Sequence, residues 1–200
     1  NHGNYIVSLV FDDEKETPVT RPPHRMVGID LGVDNTAAIT NNLGLPCLLF
    51  KGGVLKSINQ LYNKKMAAIQ SEQTKGIDKK FVMTKKTHSL CVWRNNRIED
   101  TINKIGSSIV AWCCDNDVDT IVIGHNTHAN MGKKNNQTFV QLPLYKLILN
   151  ITYRAERCGI RVINREESYT SKASFLDNDA IPTYGKNDEE YKFSGKRIKR

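Results

Sequence analysis

The sequence predicts an α/β fold in which helices flank a mixed β-sheet. Three observations favour this fold: short apolar stretches between residues 26 and 50 have the pattern of β-strands, long stretches with helical periodicity follow them, and two further apolar runs are separated by another helical stretch. The 200 residues are enough for one domain with a hydrophobic core. No apolar run approaches the roughly 18 residues that a membrane span requires.

The first predicted strand, residues 26–31, carries one carboxylate, Asp30, near its carboxyl end. An ionised Asp rarely lies inside an apolar strand unless it is paired or binds a metal. A glycine-containing turn follows, and strands are then predicted over 36–40 and 46–50. This stretch alone leaves a solvated Asp at an ordinary hairpin turn as the alternative.

Helical periodicity and two apolar runs predict the remaining elements. In order, they are helices over 54–73 and 89–116, a strand over 119–124, a helix over 139–158 and a strand that begins at 160. Three strands in a meander, followed by helices, a strand, a helix and a strand, is the order of an RNase H-like fold. Residues 1–24 are interpreted as the tail of a preceding domain and a linker.

Two carboxylates, Asp30 and Glu167, lie at the carboxyl ends of predicted strands, where ligands gather in open α/β sheets. Carboxylate oxygens suit hard divalent cations, and two such ions can activate a water and stabilise the leaving oxygen of a phosphodiester. Strand alternation points Glu166 to the other face, so that it is the weaker candidate. The alternative is that Glu166 and Glu167 are a solvated acidic pair at the start of a loop.

Positive charge is concentrated in the helical region. Between residues 51 and 104, twelve Lys and Arg residues face four acidic ones, an excess equal to the net charge of +8 of the whole chain. Such a concentration suits a polyanion such as nucleic acid, although a solvated helical face is the alternative. The candidate phosphate ligands on the helices and the later loop are Lys64, Lys65, Arg94, Arg97, Lys104, Lys133 and Lys134.

The five cysteines are an odd number without Cys-x-x-Cys spacing. A disulfide framework and a zinc ribbon are therefore not expected. Cys113, Cys114 and Cys158 fall within apolar helical patterns and are predicted to be core residues. A reducing, cytoplasmic setting is the expectation, with the protein associated with the nucleoid.

Several segments resemble the TnpB family, the OrfB-type transposon-encoded relatives of type V CRISPR nucleases. The segment Gly28-Ile-Asp-Leu-Gly-Val-Asp-Asn35 is similar to the family's first nuclease motif. Further similar segments follow in the expected order: Arg94-Asn-Asn-Arg-Ile98, Thr120-Ile-Val-Ile-Gly-His-Asn126, Tyr153-Arg-Ala-Glu-Arg-Cys-Gly-Ile160 and Glu167-Ser-Tyr-Thr-Ser-Lys172. The resemblance implies a RuvC-like nuclease domain over 25–200, in a protein that uses a guide RNA to cut DNA with Mg²⁺ or Mn²⁺.

The chain departs from the family pattern at its second catalytic position. Many members have a Glu at the end of the strand that here ends in Gly124, whereas a subset places it on the following strand, where Glu167 lies. The resemblance thus implies Asp30 and Glu167 as catalytic metal ligands. The family's third ligand, an Asp from a later motif, would lie beyond Arg200, so this fragment is expected to have little activity. No cysteine follows Lys172, and no zinc module is predicted.

Two other functions remain open at this point. Gly124 is also consistent with a guide-directed DNA-binding protein whose nuclease site has decayed. A nuclease of the same fold that works without a guide is the other alternative.

Overall fold

A computed structural model describes residues 7, 9–10, 23–76, 80–125, 142–170, 172–182 and 191–195. The strands in these ranges are β1 (Met26–Asp30), β2 (Asn35–Asn41), β3 (Leu48–Lys51), β4 (Thr120–His125) and β5 (Arg161–Glu166). The helices are α1 (Gly53–Gln73), α2 (Lys85–Asp115) and α3 (Leu144–Arg157). The predicted domain boundary near residue 24 falls mostly outside the described residues and stays a prediction.

The five strands form one mixed sheet in the order β3-β2-β1-β4-β5. Strands β1 to β3 pair in antiparallel fashion, whereas β4 is parallel to both β1 and β5. A helical crossover precedes each parallel strand, as parallel pairing requires. The predicted α/β class, the meander and the RNase H-like order of elements are thus confirmed.

One face of the sheet is buried against the helices. Alternation along β1 and β4 turns Val27, Ile29, Ile121 and Ile123 to this face, and each is at most 3% exposed. They belong to the same hydrophobic core as residues of α2 and α3, including Ile102, Ile109, Leu147 and Ile151. The other face carries Gly28, Asp30 and Gly124 and is left open by the described residues.

Two helices begin at residues that differ from the prediction. Helix α2 starts at Lys85, four residues early, because Thr84 and Thr87 form a capping box that satisfies the free N–H groups of the first turn. Helix α3 starts at Leu144 rather than 139, since Pro143 occupies its N-cap and disfavours helical backbone at the residue before it. No helix in the described ranges is long and apolar enough to cross a membrane.

The prediction that three cysteines are core residues is wrong for two of them. Cys113 is fully buried, but Cys114 and Cys158 are exposed. Both exposed cysteines lie where a helix ends, Cys114 next to the last residue of α2 and Cys158 directly after α3. A helical apolar pattern does not determine burial at a helix end, and after these two cysteines the next core residues are Val118 and Ile160.

Candidate functional site

The carboxyl ends of β1, β4 and β5 bring the predicted site residues together. Ile29 pairs with Ile123 on β4, so that Asp30 is the next residue along and lies beside Gly124. Gly124 in turn pairs with Arg165 on β5. Asp30, Gly124 and Arg165 line one groove on the open face, and Glu167, two residues after Arg165, projects to the same face.

The side chain of Glu167 lies directly over Gly124. A Cβ atom built at Gly124 would be 1.6 Å from Glu167 Oε1 and 2.4 Å from its Cδ, far inside contact distance. The carboxylate of β5 therefore occupies the space that a side chain on β4 would need. Glycine at position 124 leaves room for the Glu167 side chain. The Glu167 carboxylate lies where the side chain of another residue at position 124 would start.

The electrostatic environment of Glu167 links it to Asp30. Burial raises the pKa of Glu167, and the charges of Asp30 and then Glu166 raise it further. Asp30 itself is exposed at the end of β1. A carboxylate whose ionisation is disfavoured by a neighbouring carboxylate suits a shared cation, because a divalent ion offsets the repulsion and prefers oxygen ligands.

Glu166 points away from this site. It pairs with His125 in the β4–β5 ladder, one residue out of phase with Gly124 and Arg165. Its carboxylate accepts a hydrogen bond from Ser168 Oγ, which follows the strand. Strand alternation predicted this difference between the two neighbouring glutamates.

The donor set fits a hard divalent cation, but it is incomplete among the described residues. Asp30 and Glu167 supply carboxylate oxygens only, whereas Mg²⁺ takes about six oxygen ligands, several of them water. The described ranges contain no group of three or more His, Cys, Asp or Glu side chains placed to hold a metal ion. Among the described residues, the site thus offers two carboxylates to a cation.

Helix α1 braces the turn that follows Asp30. Gly52, just before the helix, donates its N–H to the carbonyl of Asp34 at 2.8 Å, and Lys56 forms an ion pair with the Asp34 side chain. A Cβ at Gly52 would lie 2.2 Å from the Val33 carbonyl oxygen, so only glycine permits this approach. The end of β1 is therefore supported by the first turn of α1.

The predicted nucleic-acid ligands differ in their surroundings. Lys64, Lys65 and Arg97 are exposed on α1 and α2, and Lys65 lies over the ring of Trp93 at 5.6 Å. Lys104 is exposed but pairs with Asp100 one turn earlier, at 2.8 Å. The loop residues Lys133 and Lys134 lie outside the described residues, so their predicted role stays a prediction.

Arg94 was predicted to face a ligand; that role stays a prediction, and in the structure its side chain contacts helix α1. Its Nε donates to Oδ1 of the buried Asn59 at 2.8 Å, and its guanidinium lies 5.7 Å from the ring centroid of Tyr62. Both partners belong to α1. Arg94 thus joins the two helices, because a polar group buried on α1 requires a donor from α2.

Arg165 is a site residue that the sequence analysis missed. It lines the groove with Asp30 and Gly124 and is exposed, so a guanidinium lies on the same face as the two carboxylates. The signal was available in the sequence. Arg165 is two residues before Glu167, and a strand places residues two apart on one face.

Comparison with known proteins assigns the family. The profile of the OrfB_IS605 family, described as a probable transposase, matches residues 8–130, more than half of the chain. The chain belongs to this family. The predicted membership of the OrfB-type, or TnpB, family is thereby confirmed, whereas no curated protein sequence matches the chain significantly.

Solved structures of two complexes have a similar fold. The chain superposes on a Cas12f1–sgRNA–target DNA complex with a TM-score of 0.58 and 16% identity, covering 76% of this chain and 38% of that one. For a CRISPR–Cas12f ternary complex the TM-score is 0.60 and the identity 15%, covering 80% of this chain and 32% of that one. This OrfB_IS605 chain therefore spans about a third of the length of these proteins, and the likeness concerns the fold.

Proposed function

We propose that this chain is the RuvC-like nuclease portion of a transposon-associated, RNA-guided DNA endonuclease that cleaves phosphodiesters with two divalent metal ions. The observation that carries the proposal is the position of Glu167 over Gly124 and beside Asp30. A site that had merely lost its second ligand would have no reason to fill the vacated space with another carboxylate. The OrfB_IS605 match supports the setting in a transposon.

Asp30 and Glu167 would hold Mg²⁺ or Mn²⁺ through their carboxylate oxygens. Bound there, the metal would acidify an attacking water and stabilise charge on the leaving oxygen. Asp30 is held by pairing of β1 with strands on both sides, so its position is fixed by the sheet. Arg165, on the same face, can donate hydrogen bonds to a phosphate oxygen of the bound strand.

The proposed partners are DNA and a guide RNA. The similar Cas12f1 structure is a complex with a guide RNA and target DNA, which supports the same partners here. Lys64, Lys65 and Arg97 are exposed and would contact phosphates, which position a nucleic acid without reading its sequence. Lys104 is available only in competition with its ion pair to Asp100.

The proposal is tested by Asp30→Ala in the full-length protein with its copurified RNA. Cleavage of target DNA should be lost while DNA binding persists, because Asp30 would hold metal and not the nucleic acid. Glu166→Gln is the matched control, since this neighbouring carboxylate lies on the opposite face and should leave cleavage intact. Undiminished cleavage by Asp30→Ala would refute the assignment, and cleavage that survives removal of RNA would indicate a guide-independent nuclease.

A guide-directed binding protein with a decayed site is the second candidate. It is favoured by the presence of only two carboxylates in the site among the described residues. Titration of wild type and Glu167→Gln with Mn²⁺ separates the two functions. If the chain belongs to a nuclease, wild type should bind Mn²⁺ more tightly than Glu167→Gln. If it belongs to a protein that only binds DNA, neither wild type nor the variant should bind the metal or cut DNA.

A further inference from the structure

The segment after β5 is tied together by one carboxylate, Asp179. Its Oδ2 accepts hydrogen bonds from the backbone N–H groups of Ser174 and Ser194, each at 2.8 Å, and its Oδ1 accepts from Ser194 Oγ at 2.9 Å. The backbone N–H groups of Ser174 and Ser194 also hold the pKa of Asp179 below its ordinary value. Asp179 thus connects residues 172–182 with residues 191–195.

Close packing accompanies these hydrogen bonds. A Cβ at Gly195 would lie 2.2 Å from the carbonyl oxygen of Lys172, so the two segments approach at backbone distance. Ser194 Oγ also donates to Asp177 at 3.0 Å. The segment 191–195 has no helix or strand of its own, and these contacts fix its place.

The braced segment reaches back to Glu167 by two routes. Phe193, the neighbour of Ser194, stacks on Tyr169 with ring centroids 5.6 Å apart and an angle of 17° between the rings. Tyr169 also accepts backbone hydrogen bonds from the N–H groups of residues 172 and 173, at 2.8 and 2.9 Å. Tyr169 follows Glu167 by two residues, so both routes end at the turn that carries this ligand.

The turn itself has a backbone that needs external support. Tyr169 has φ 69°, in the left-handed region that costs a large side chain about 1 kcal/mol or more. Thr170 Oγ1 donates to the carbonyl oxygen of Glu167 at 2.8 Å and closes the turn. Such a conformation persists when surrounding contacts impose it, and the Phe193 stack and the Tyr169 carbonyl bonds are those contacts.

We propose that Asp179 is a positioning residue for Glu167: by fixing residues 191–195 against residues 172–174, it holds the Tyr169 turn and thereby the direction of the Glu167 carboxylate toward Asp30. This inference rests on the proposed function, in which Glu167 is a metal ligand. It adds a residue that lies twelve positions away and touches neither metal nor substrate. Asp179 acts as the outer support that keeps a ligand in place.

The test uses Asp179→Ala in the full-length protein, with Asp177→Ala as the matched control. Asp177 accepts only the shared Ser194 hydroxyl bond among the contacts that join the two segments, so its loss should leave the brace intact. Mn²⁺ affinity is measured by titration with the metal alone, and cleavage is measured across Mg²⁺ concentrations. Asp179→Ala should weaken Mn²⁺ binding by about 10-fold, the lower end for supports of metal ligands, and saturating Mg²⁺ should restore most of the maximal rate.

A second variant and an independent readout keep the test decisive. Asp179→Asn retains an acceptor oxygen, so its Mn²⁺ affinity should lie between those of wild type and Asp179→Ala. This variant can be measured even if Asp179→Ala folds poorly. An unchanged Mn²⁺ midpoint in both Asp179 variants, with faster amide exchange at Ser194, would overturn the proposal and leave Asp179 a loop brace only. If the wild-type protein itself bound no Mn²⁺ and cut no DNA, the proposed function would fail. A result obtained only with the Asp179 variants tests the positioning role and not the proposed function.

Discussion

At position 124, the Glu167 side chain, which follows β5, occupies the space next to the backbone of β4. Glu167 Oε1 lies within 1.6 Å of where a Cβ on Gly124 would be. Gly124 is on β4, which lies between β5 and the strand β1 that carries Asp30. Any side chain at position 124 would require the Glu167 carboxylate to leave its present position. Gly124 and Glu167 therefore form a matched pair, and a change at one should be felt at the other.

Replacing Gly124 by Ala should displace the Glu167 carboxylate and raise the Mg²⁺ concentration needed for half-maximal cleavage by about 10-fold. Stability should change little, because Ala is no worse than Gly in a strand. Gly28→Ala is the control, since its Cβ would meet only Thr40 Cγ2, at 3.3 Å on the same face. Equal metal dependence in the two variants would contradict the steric account.

Ionisation of Glu167 should destabilise the metal-free protein. A carboxyl group whose pKa is raised on folding contributes fully to stability below its ordinary pKa, and that contribution is lost as pH rises through the raised folded value. Glu167→Gln should therefore increase the free energy of unfolding near pH 7 by less than about 1 kcal/mol, since solvent screens a half-buried charge. Denaturant unfolding in chelator at about pH 4 and about pH 7 measures this, and an equal gain at both pH values would argue against it.

At the scale of elements, sequence patterns predicted each strand and helix found in the described residues, while their ends depended on local chemistry. The strand around β1 and its carboxylate could be predicted because burial alternates along a sheet. The four-residue extension of α2 came from the Thr84 cap, and the late start of α3 came from Pro143, and both signals were readable but unused. Contacts between elements, such as Arg94 with Asn59, could not be predicted, since they depend on how α1 and α2 pack.

The residues of the site could be predicted from strand alternation, but their packing could not. Alternation within β5 separated Glu167 from Glu166 and would also have found Arg165. The packing of Glu167 over Gly124 could not be predicted from the residues alone, because it depends on the β4–β5 register. The Asp179 brace was equally inaccessible, since Asp179 and Ser194 are separated by chain without periodicity.

The crossing of α2 and α3 depends on Gly106. A Cβ there would lie 2.2 Å from Asn150 Oδ1, and the Asn150 side chain bonds Asn103 at 2.8 Å and Arg154 at 3.0 Å. Ala is favoured over Gly in a helix by about 1 kcal/mol, but two hydrogen bonds of about 1 kcal/mol each would be strained and the helices pushed apart.

Gly106→Ala should therefore lower the free energy of unfolding by about 1 kcal/mol rather than raise it. Denaturant unfolding measures the change. The exposed Ser107 on the same helix gives the control, because Ser107→Ala should change stability by no more than about 0.5 kcal/mol. Stabilisation by Gly106→Ala would show that Asn150 moves aside without loss.

Across the whole molecule, the candidate phosphate ligands of the helices and the proposed metal site lie on different parts of the fold. Lys64, Lys65 and Arg97 are exposed on α1 and α2, which contribute to the core side of the sheet, whereas Asp30 and Glu167 lie with Arg165 on the open face at the strand ends. Binding of nucleic acid and cleavage should therefore be separable by mutation.

Neutralising Lys64 and Arg97 together should weaken DNA binding and make it less dependent on salt. Each lost phosphate contact reduces the slope of log affinity against log salt by about 0.9 for duplex DNA. Arg94→Gln is the contrast, because Arg94 is engaged with α1 and its loss should lower stability with little change in the slope. A slope that is unaffected by the Lys64 and Arg97 changes would exclude these residues from the interface.

The central claim is that Glu167 has taken the place of a ligand on β4. The most direct measurement is Mg²⁺-dependent cleavage of target DNA by full-length Glu167→Ala and by the double variant Gly124→Glu with Glu167→Ala. The single variant should lose cleavage by on the order of 100-fold or more. The double variant should regain part of it, because position 124 lies on the same face beside Asp30. Cleavage by Glu167→Ala at the wild-type rate would contradict the claim.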